Sequence, residues 1–283
     1  MYIASMTSLF IIITSLLRTR KPIPTVRRFT KFKLPLPKTL HLSLENVSIQ
    51  GREIFIVGDV HGCLEELEQL LELARLEINN KKMLPIFVGD LANKGPRNLM
   101  TIRKVRQMEA LSVRGNHEEA IVRHYLNWQN DQNYVIPEVF KWITELNTDD
   151  INYLLELPYT ISIPSRNILI VHAGLVPGIP IQQQNLDNFI HIRNLYQDND
   201  GNFIASELPF QGEAWASFWT GPEHVYFGHD ASRKLQQHPY ATGLDTGCLY
   251  GNMLSGIVIN SQKMLQVKAK TVYSEPKGFK TPK

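Results

Sequence analysis

Five short polar motifs, each following an apolar stretch of the chain, contain side chains that could bind metal ions. They offer two carboxylates, one amide and three imidazoles, from Asp59, His61, Asp90, Asn116, His172 and His229. This mixture of nitrogen and oxygen donors suits first-row divalent ions such as Zn, Mn or Fe better than it suits calcium. If Asp90 bridges, Asp59 and His61 complete the ligands of one ion, and the other three residues complete those of the second. We therefore expect two divalent metal ions that hold a hydroxide between them and neutralise charge on a phosphoryl group.

The apolar stretches predict the elements that position these residues. The strand that starts at Glu53 precedes GDVHG, and apolar residues at helical spacing follow from Leu64 to Leu76. Apolar runs at 84–88, 110–113, 168–171 and 225–227 also end in Asp, Asn or His motifs. Five strands with polar ends indicate an α/β fold with its site at one sheet edge. Residues 243–259 are expected to form a hairpin around a turn at Tyr250 to Asn252.

The motifs together resemble a known family. GDVHG at 58–62, GD and NKGP within 89–96, RGNHE at 114–118, HAG at 172–174 and GHD at 228–230 follow the order found in calcineurin-like metallophosphoesterases of the phosphoprotein phosphatase type. The resemblance extends over residues 52–262. It implies a four-layer αββα sandwich of two mixed β-sheets flanked by helices. It also implies a dinuclear metal site, held by the six residues named above at the carboxyl ends of the strands.

The resemblance implies roles for residues beside the metals. His117 stands at the position of the family's catalytic histidine, which protonates the leaving oxygen, and an imidazole suits that role. Asn93 stands where protein phosphatases have an aspartate that partners this histidine. We expect its amide to orient His117 by accepting a hydrogen bond, and to suit leaving groups that are already acidic, such as the phosphate of an anhydride. Asp230, within GHD, is expected to contact the residues of the site without binding a metal ion itself.

Three cations close to the motifs are expected to bind substrate phosphate. They are Lys94, Arg114 and Arg193, of which an arginine can grip two phosphate oxygens whereas a lysine acts as a point charge. For Arg193 the alternative is a surface or helix-end charge. Arg233, Lys234 and His238 could extend this positive path along a long polyanion.

Two segments bear on the branch of the family. The sequence has no SAPNYC-like segment of the kind that protein serine/threonine phosphatases carry. Instead, GLDTGCLYG at 243–251 resembles the bacterial symmetrical diadenosine-tetraphosphatase and its eukaryotic relatives, which include fungal zinc-dependent endopolyphosphatases and kinetoplastid mRNA cap hydrolases. An endopolyphosphatase that cleaves inorganic polyphosphate is the expected function. The alternatives are a serine/threonine protein phosphatase and a hydrolase of dinucleoside polyphosphates or cap-like substrates.

Composition excludes several other classes of protein. The 283 residues carry a net charge of +3, but residues 1–50 hold eight basic residues against the single acid Glu45. Residues 51–283 are therefore net negative, which argues against a nucleic-acid-binding module beyond a nucleotide substrate. Only two cysteines occur, Cys63 and Cys248, so a disulfide-stapled secreted scaffold is excluded.

The N-terminus suggests an anchor followed by a linker. Residues 2–17 read YIASMTSLFIIITSLL and are followed by the basic RTRK. An uncleaved membrane anchor, a mitochondrial transit peptide and a soluble tail all remain open, with the anchor preferred. We expect a membrane-associated, vacuolar protein, with the cytoplasm and then the mitochondrion as alternatives. The predicted organisation is an anchor segment at 1–21, a proline-containing linker at 22–50, a catalytic domain at 51–270 and a tail at 271–283.

Overall fold

Two mixed β-sheets lie face to face in the structure, a computed structural model that describes residues 29–79 and 81–276. One sheet contains, in spatial order, β14 (Lys263–Lys268), β13 (Met253–Val258), β2 (Glu53–Val57), β3 (Met83–Phe87) and β4 (Leu111–Ser112). The other contains β1 (His41–Ser43), β5 (Thr160–Ile163), β6 (Ile168–Val171), β10 (His224–Phe227), β12 (Ala241–Gly243) and β11 (Gln236–His238). Strands β2, β3 and β4 are parallel, as are β6, β10 and β12, so their carboxyl ends meet along one edge of each sheet.

The side chains of β2 alternate between the two faces of the first sheet, and this shows how the layers form. All five residues of this strand are buried. Ile54 and Ile56 belong to the core between the two sheets, together with Ile170 of the facing sheet. Phe55 and Val57 belong to the core on the opposite face. Because successive side chains of a strand point to opposite faces, a continuous apolar run is what a strand covered on both sides requires.

Helices cover the outer face of the first sheet. The helix α2 (Leu64–Glu77) packs Leu67, Leu70 and Ala74 onto that face, which confirms the helix predicted from apolar spacing. The other helices are α1 (Asn46–Ile49), α3 (Asn98–Gln107), α4 (Asn116–Asn130), α5 (Thr148–Leu155) and α6 (Leu186–His191). Short 3₁₀ helices span Glu138–Glu145, Pro164–Arg166, Ile181–Gln183, Trp215–Ser217 and Cys248–Tyr250.

The outer face of the second sheet is covered by α6 and by a small third sheet. This antiparallel sheet has the order β8 (Phe203–Ser206), β7 (Asn194–Gln197), β9 (Glu213–Ala214). Phe189, Leu195 and Trp215 pack there against Val171 and Phe227. The sequence did not predict the third sheet. The expected α/β sandwich of two mixed sheets flanked by helices is confirmed.

The predicted hairpin at residues 243–259 is wrong. Strand β12 ends at Gly243 in one sheet, and β13 begins at Met253 in the other. The segment between them carries a 3₁₀ helix and passes from sheet to sheet. The true hairpin joins β13 to β14, with Val258 opposite Lys263. Two apolar runs around a glycine turn do not reveal whether they belong to the same sheet.

The predicted domain start at residue 51 is also corrected. Strand β1 pairs with β5 in parallel, and Leu34, Leu44 and Ile49 are buried. The folded unit therefore includes described residues that we assigned to the linker. The predicted anchor at residues 2–17 lies outside the described residues and stays a prediction. Among the residues that the structure describes, no helix has the length and apolar character needed to cross a bilayer.

Candidate metal centre and active site

The six predicted metal ligands meet at the carboxyl ends of the parallel strands. Asp59 follows β2, Asp90 follows β3, His172 follows β6 directly and His229 follows β10, while Asn116 opens α4. Asp90 lies centrally, with its Oδ2 3.6 Å from His61 Nε2 and its Oδ1 3.5 Å from His172 Nε2. Asp59 Oδ2 accepts the backbone N–H of His229 at 3.0 Å, which ties the two sheets together at the site.

Three lone pairs converge on one side of Asp90. His172 Nδ1 donates to the carbonyl of Val88 at 2.8 Å, so its Nε2 carries a lone pair. His229 Nε2 donates to the carbonyl of His191 at 3.1 Å, so its Nδ1 carries the lone pair. Each of these acceptor nitrogens lies 3.0 Å from Asn116 Oδ1, which is itself an acceptor. Acceptors facing one another are stabilised by a cation, and backbone carbonyls that fix a histidine tautomer are typical support for metal ligands.

The other side of Asp90 has a buried acceptor without a partner. Asp59 Oδ1 is buried and has no hydrogen-bond partner in the described part of the chain. His61, Asp90 and His117 bring candidate ligand atoms within 4.8 Å of one another. The assignment of Asp59 rather than His117 as the third donor on this side stays a prediction.

The electrostatics of the buried carboxyl groups also fit metal binding. Burial raises the pKa of Asp90 to about 7. Burial and the charges of Asp245 and Asp90 raise the pKa of Asp59 well above its usual value. Burial lowers the pKa of His61 to about 3 and that of His172 to about 4, so neither imidazole supplies a counter-charge near neutrality. The residues present therefore fit two cations, which would hold the carboxylates ionised and take up the free lone pairs.

The loop that carries Asp90 is clamped by a residue that sequence reasoning did not assign. The Glu118 carboxylate accepts the backbone N–H groups of Asp90 at 2.8 Å, Leu91 at 2.9 Å and Gly115 at 2.9 Å. Asp90 has a left-handed backbone with φ of 49°, a conformation that such contacts must stabilise. Glu118 lies within RGNHE, so its place in that motif could have indicated a role.

His117 lies beside the metal centre and contacts Asn93. Its backbone N–H donates to Asp90 Oδ1 at 2.9 Å, and its Nδ1 lies 3.0 Å from Asn93 Nδ2. The amide nitrogen, rather than the oxygen, therefore faces the imidazole, and Asn93 donates where we expected it to accept. Burial, with the nearby charges of His61 and Lys94, holds the pKa of His117 well below its usual value. His117 is thus neutral near pH 7 before metal binding.

Two of the predicted phosphate-binding cations lie at the site. The charge of Lys94 is close enough to contribute to the lowered pKa of His61 and to offset part of the rise in the pKa of Asp90. The Arg193 guanidinium donates to the carbonyls of Glu207 at 3.2 Å and His229 at 3.3 Å, and its Nε lies 3.8 Å from Asp230 Oδ1. Asp230 thereby fixes this arginine next to the metal ligands. Binding of phosphate by either cation stays a prediction.

Arg114 requires a correction. Its side chain is fully buried, and its Nη1 lies 3.1 Å from Glu119 Oε2. Its Nη2 donates to the carbonyls of Leu154 and Leu155 at the end of α5, at 3.3 and 2.6 Å. Because these partners hold the guanidinium in the core, we remove Arg114 from the phosphate-binding set.

Two further residues at the site were not predicted. Asp245, within GLDTG, is buried, and burial raises its pKa to about 7. Its charge is the largest single neighbouring influence on Asp59. His191 provides the carbonyl that fixes His229, and the two rings lie 6.5 Å apart. Only the GLDTG motif offered a sequence signal; His191 had none.

Comparisons with known proteins agree with this geometry. The family model for the calcineurin-like phosphoesterase matches residues 53–244. The symmetrical bis(5'-nucleosyl)-tetraphosphatase of Psychromonas ingrahamii is 30% identical, over 74% of this chain and 94% of that protein. The zinc-dependent endopolyphosphatase of Saccharomyces cerevisiae is 23% identical, over 80% of this chain and 81% of its own.

A solved structure extends the likeness to three dimensions. A crystal structure provisionally described as a diadenosine tetraphosphatase is 35% identical, covers 82% of this chain and 98% of its own, and superimposes with a TM-score of 0.72. The matched residues 53–244 include the five strand ends that carry the six candidate ligands. The chain therefore belongs to the calcineurin-like phosphoesterase family and is a metal-dependent phosphoesterase.

Proposed function

We propose that this phosphoesterase cleaves phosphoanhydride bonds in linear oligophosphates, with dinucleoside tetraphosphates as the leading substrate class. The contact between Asn93 Nδ2 and His117 Nδ1, at 3.0 Å, carries the proposal. A neutral amide that donates to Nδ1 gives no stabilisation to an imidazolium. His117 then stays neutral and carries its proton at Nε2. A neutral imidazole is a weak acid, so it protonates a leaving group poorly. Such a site favours leaving groups that need little protonation, and the phosphate of an anhydride is one.

The remaining groups fit an oligophosphate. When bound, the two metal ions would neutralise the phosphoryl oxygens and lower the pKa of the attacking water. Lys94 and Arg193 add positive charge at the same centre, and Arg193 is held in a fixed orientation by Asp230 and two carbonyls. A pre-oriented guanidinium can bind two oxygens of a neighbouring phosphate group with a smaller loss of side-chain entropy.

Endopolyphosphatase activity is the second candidate. The yeast relative with that name aligns over 80% of this chain, although at lower identity than the tetraphosphatase. Arg233, on the predicted path for a long polyanion, pairs with Asp230 and donates to Asn194 at 2.7 Å. It is thus engaged within the fold next to Arg193. The relative named as a tetraphosphatase is the more similar of the two, so we now place dinucleoside tetraphosphates ahead of polyphosphate.

The test is a product analysis on three substrates side by side. Protein loaded with Zn²⁺ or Mn²⁺ is given diadenosine tetraphosphate, long-chain polyphosphate or a phosphoserine peptide. We expect kcat/KM for the tetraphosphate to exceed that for the peptide by about 100-fold or more, a difference of about 3 kcal/mol in barrier. Shortening of polyphosphate in mid-chain at a higher rate would promote the second candidate, and exclusive turnover of the peptide would contradict both.

The variant Asn93→Asp isolates the contribution of the amide. A carboxylate stabilises the imidazolium, so we expect turnover of the phosphopeptide to rise relative to that of the tetraphosphate. If the variant improves cleavage of both substrates equally, the amide does not set leaving-group preference.

A further inference from the structure

An indole N–H reaches the far side of the Asn93 amide. Trp142 lies in the 3₁₀ helix Glu138–Glu145, and its Nε1 is 3.4 Å from Asn93 Oδ1. Asn93 Nδ2 is 3.0 Å from His117 Nδ1. The three side chains therefore form a chain of hydrogen bonds that ends on the imidazole. Trp142 belongs to none of the sequence motifs of the family.

The chemistry of the three groups fixes the direction of this chain. An indole N–H can only donate, so the amide oxygen must face Trp142. The amide NH₂ then faces His117 and can only donate, so Nδ1 must accept. A neutral His117 consequently carries its proton on Nε2. Rotating the amide by 180° would set two donors against each other at Trp142, and it would require the proton of His117 to move to Nδ1.

Asn93 has little freedom to respond in any other way. The residue is 1% exposed, and its backbone is left-handed with φ of 89°. Its backbone N–H donates to Asn98 Oδ1 at 2.8 Å, which holds that conformation. With the backbone fixed, the remaining choice is which end of the amide faces His117, and the Trp142 N–H distinguishes the two ends.

We propose that Trp142 is a positioning residue of the reaction, which holds the ring proton of His117 at Nε2 by orienting the Asn93 amide. The proposal rests on the proposed function, because that function places His117 beside the leaving group. A carboxylate at position 93 has two equivalent acceptor oxygens and no preferred end. Trp142 is therefore needed only when residue 93 is an amide.

A double-mutant cycle tests this dependence. Trp142→Phe keeps an aromatic ring in place and removes the N–H. We expect kcat for diadenosine tetraphosphate to fall roughly three- to tenfold, the rate equivalent of one neutral hydrogen bond, with KM unchanged. In the Asn93→Asp background the same change should alter kcat by less than about twofold. An equal fall in both backgrounds, or none in the wild type, overturns the proposal. Trp128→Phe, at another partly exposed tryptophan, is the matched control and should leave kcat unchanged.

A second readout does not depend on turnover. Long-range ¹H–¹⁵N spectra of zinc-loaded protein with labelled histidine report which ring nitrogen is protonated, and His117→Gln assigns the signal. We expect the Nε2–H pattern in the wild type, an average of both tautomers in Trp142→Phe, and a protonated Nδ1 in Asn93→Asp. Unchanged spectra in Trp142→Phe overturn the proposal. If instead the spectra change while no phosphoanhydride is cleaved, the positioning role stands and the proposed function fails.

Discussion

At the scale of single residues, the metal centre combines few negative charges with many lone pairs. Of the six candidate ligands only Asp59 and Asp90 are carboxylates, and the rest are neutral donors. Two divalent ions would therefore keep a surplus of positive charge for a phosphate group. Asp90 occupies the central position, with one oxygen 3.6 Å from His61 and the other 3.5 Å from His172. If Asp90 bridges, its loss would affect both ions.

Replacement of Asp90 by asparagine tests the bridging role. The change keeps the volume of the side chain and removes the charge shared by the two ions. We expect kcat to fall on the order of 10³-fold or more at saturating metal, because several kcal/mol of charge stabilisation depends on both ions. Asp149→Asn, at an exposed residue far along the chain, is the control. Substantial residual turnover in Asp90→Asn would rule out the bridge.

At the scale of elements, α4 connects the centre to the core. The helix begins at Asn116, so its first turn supplies a candidate metal ligand, the imidazole of His117 and the clamp from Glu118. One residue later, Glu119 pairs with the buried Arg114. Arg114 in turn donates to carbonyls at the end of α5, which sets the position of one helix against the other. The buried pair thus fixes how α4 packs against α5.

The buried pair of Arg114 and Glu119 makes a direct prediction. Arg114→Met leaves Glu119 buried without its partner, so we expect a loss of about 3 to 5 kcal/mol in the free energy of unfolding, measured by urea denaturation. The double variant Arg114→Met/Glu119→Leu should recover most of that loss. KM for the phosphate substrate should stay unchanged in the folded protein. Arg193→Met should instead raise KM roughly tenfold or more, as for loss of a hydrogen bond to a charged group. Its loss of stability should be smaller than that of Arg114→Met, because Asp230 keeps Arg233 as a partner. A raised KM in Arg114→Met would restore it to the phosphate site.

At the scale of the whole molecule, the strand ends were predicted from the residues, because Asp or His close after a buried apolar run can be read without the fold. The two sheets were predicted only from the resemblance to the family. The interactions that sequence reasoning missed join residues that are distant in the chain. Trp142 contacts Asn93 across 49 positions, and His229 contacts Asp59 across 170. Residues 243–259 were misread for the same reason, since local apolar spacing does not specify which sheet a strand enters. Glu118 was within reach of sequence reasoning, but its role depends on three backbone groups that only the folded chain assembles.

The buried carboxyl groups predict how stability depends on pH without metal. Burial raises the pKa of Asp90, Glu118 and Asp245 to about 7, and that of Asp59 is raised as well. In the unfolded chain these groups titrate near pH 4 and hold no protons at neutrality. From about pH 6.5 upward most unfolded histidines are neutral too, so the folded state binds more protons than the unfolded state until its carboxyl groups ionise near pH 7.

Stability of the chelator-treated protein should therefore fall as the pH rises from about 6.5 to 8, through the folded pKa of about 7. The measurement is the midpoint of urea denaturation at several pH values. Protein loaded with Zn²⁺ should show no such fall, because the ions hold the carboxylates ionised. Stability of the metal-free protein that is constant or rises over this range would contradict the proposed electrostatics.

A metal titration of turnover tests whether the catalytic centre is dinuclear. Chelator-treated protein is titrated with Zn²⁺ or Mn²⁺ while hydrolysis of diadenosine tetraphosphate and bound metal per chain are measured together. We predict no turnover without metal and a rate that saturates when two ions are bound to each chain. Turnover that survives chelation, or that is complete with one bound ion, would contradict a dinuclear phosphoanhydride hydrolase.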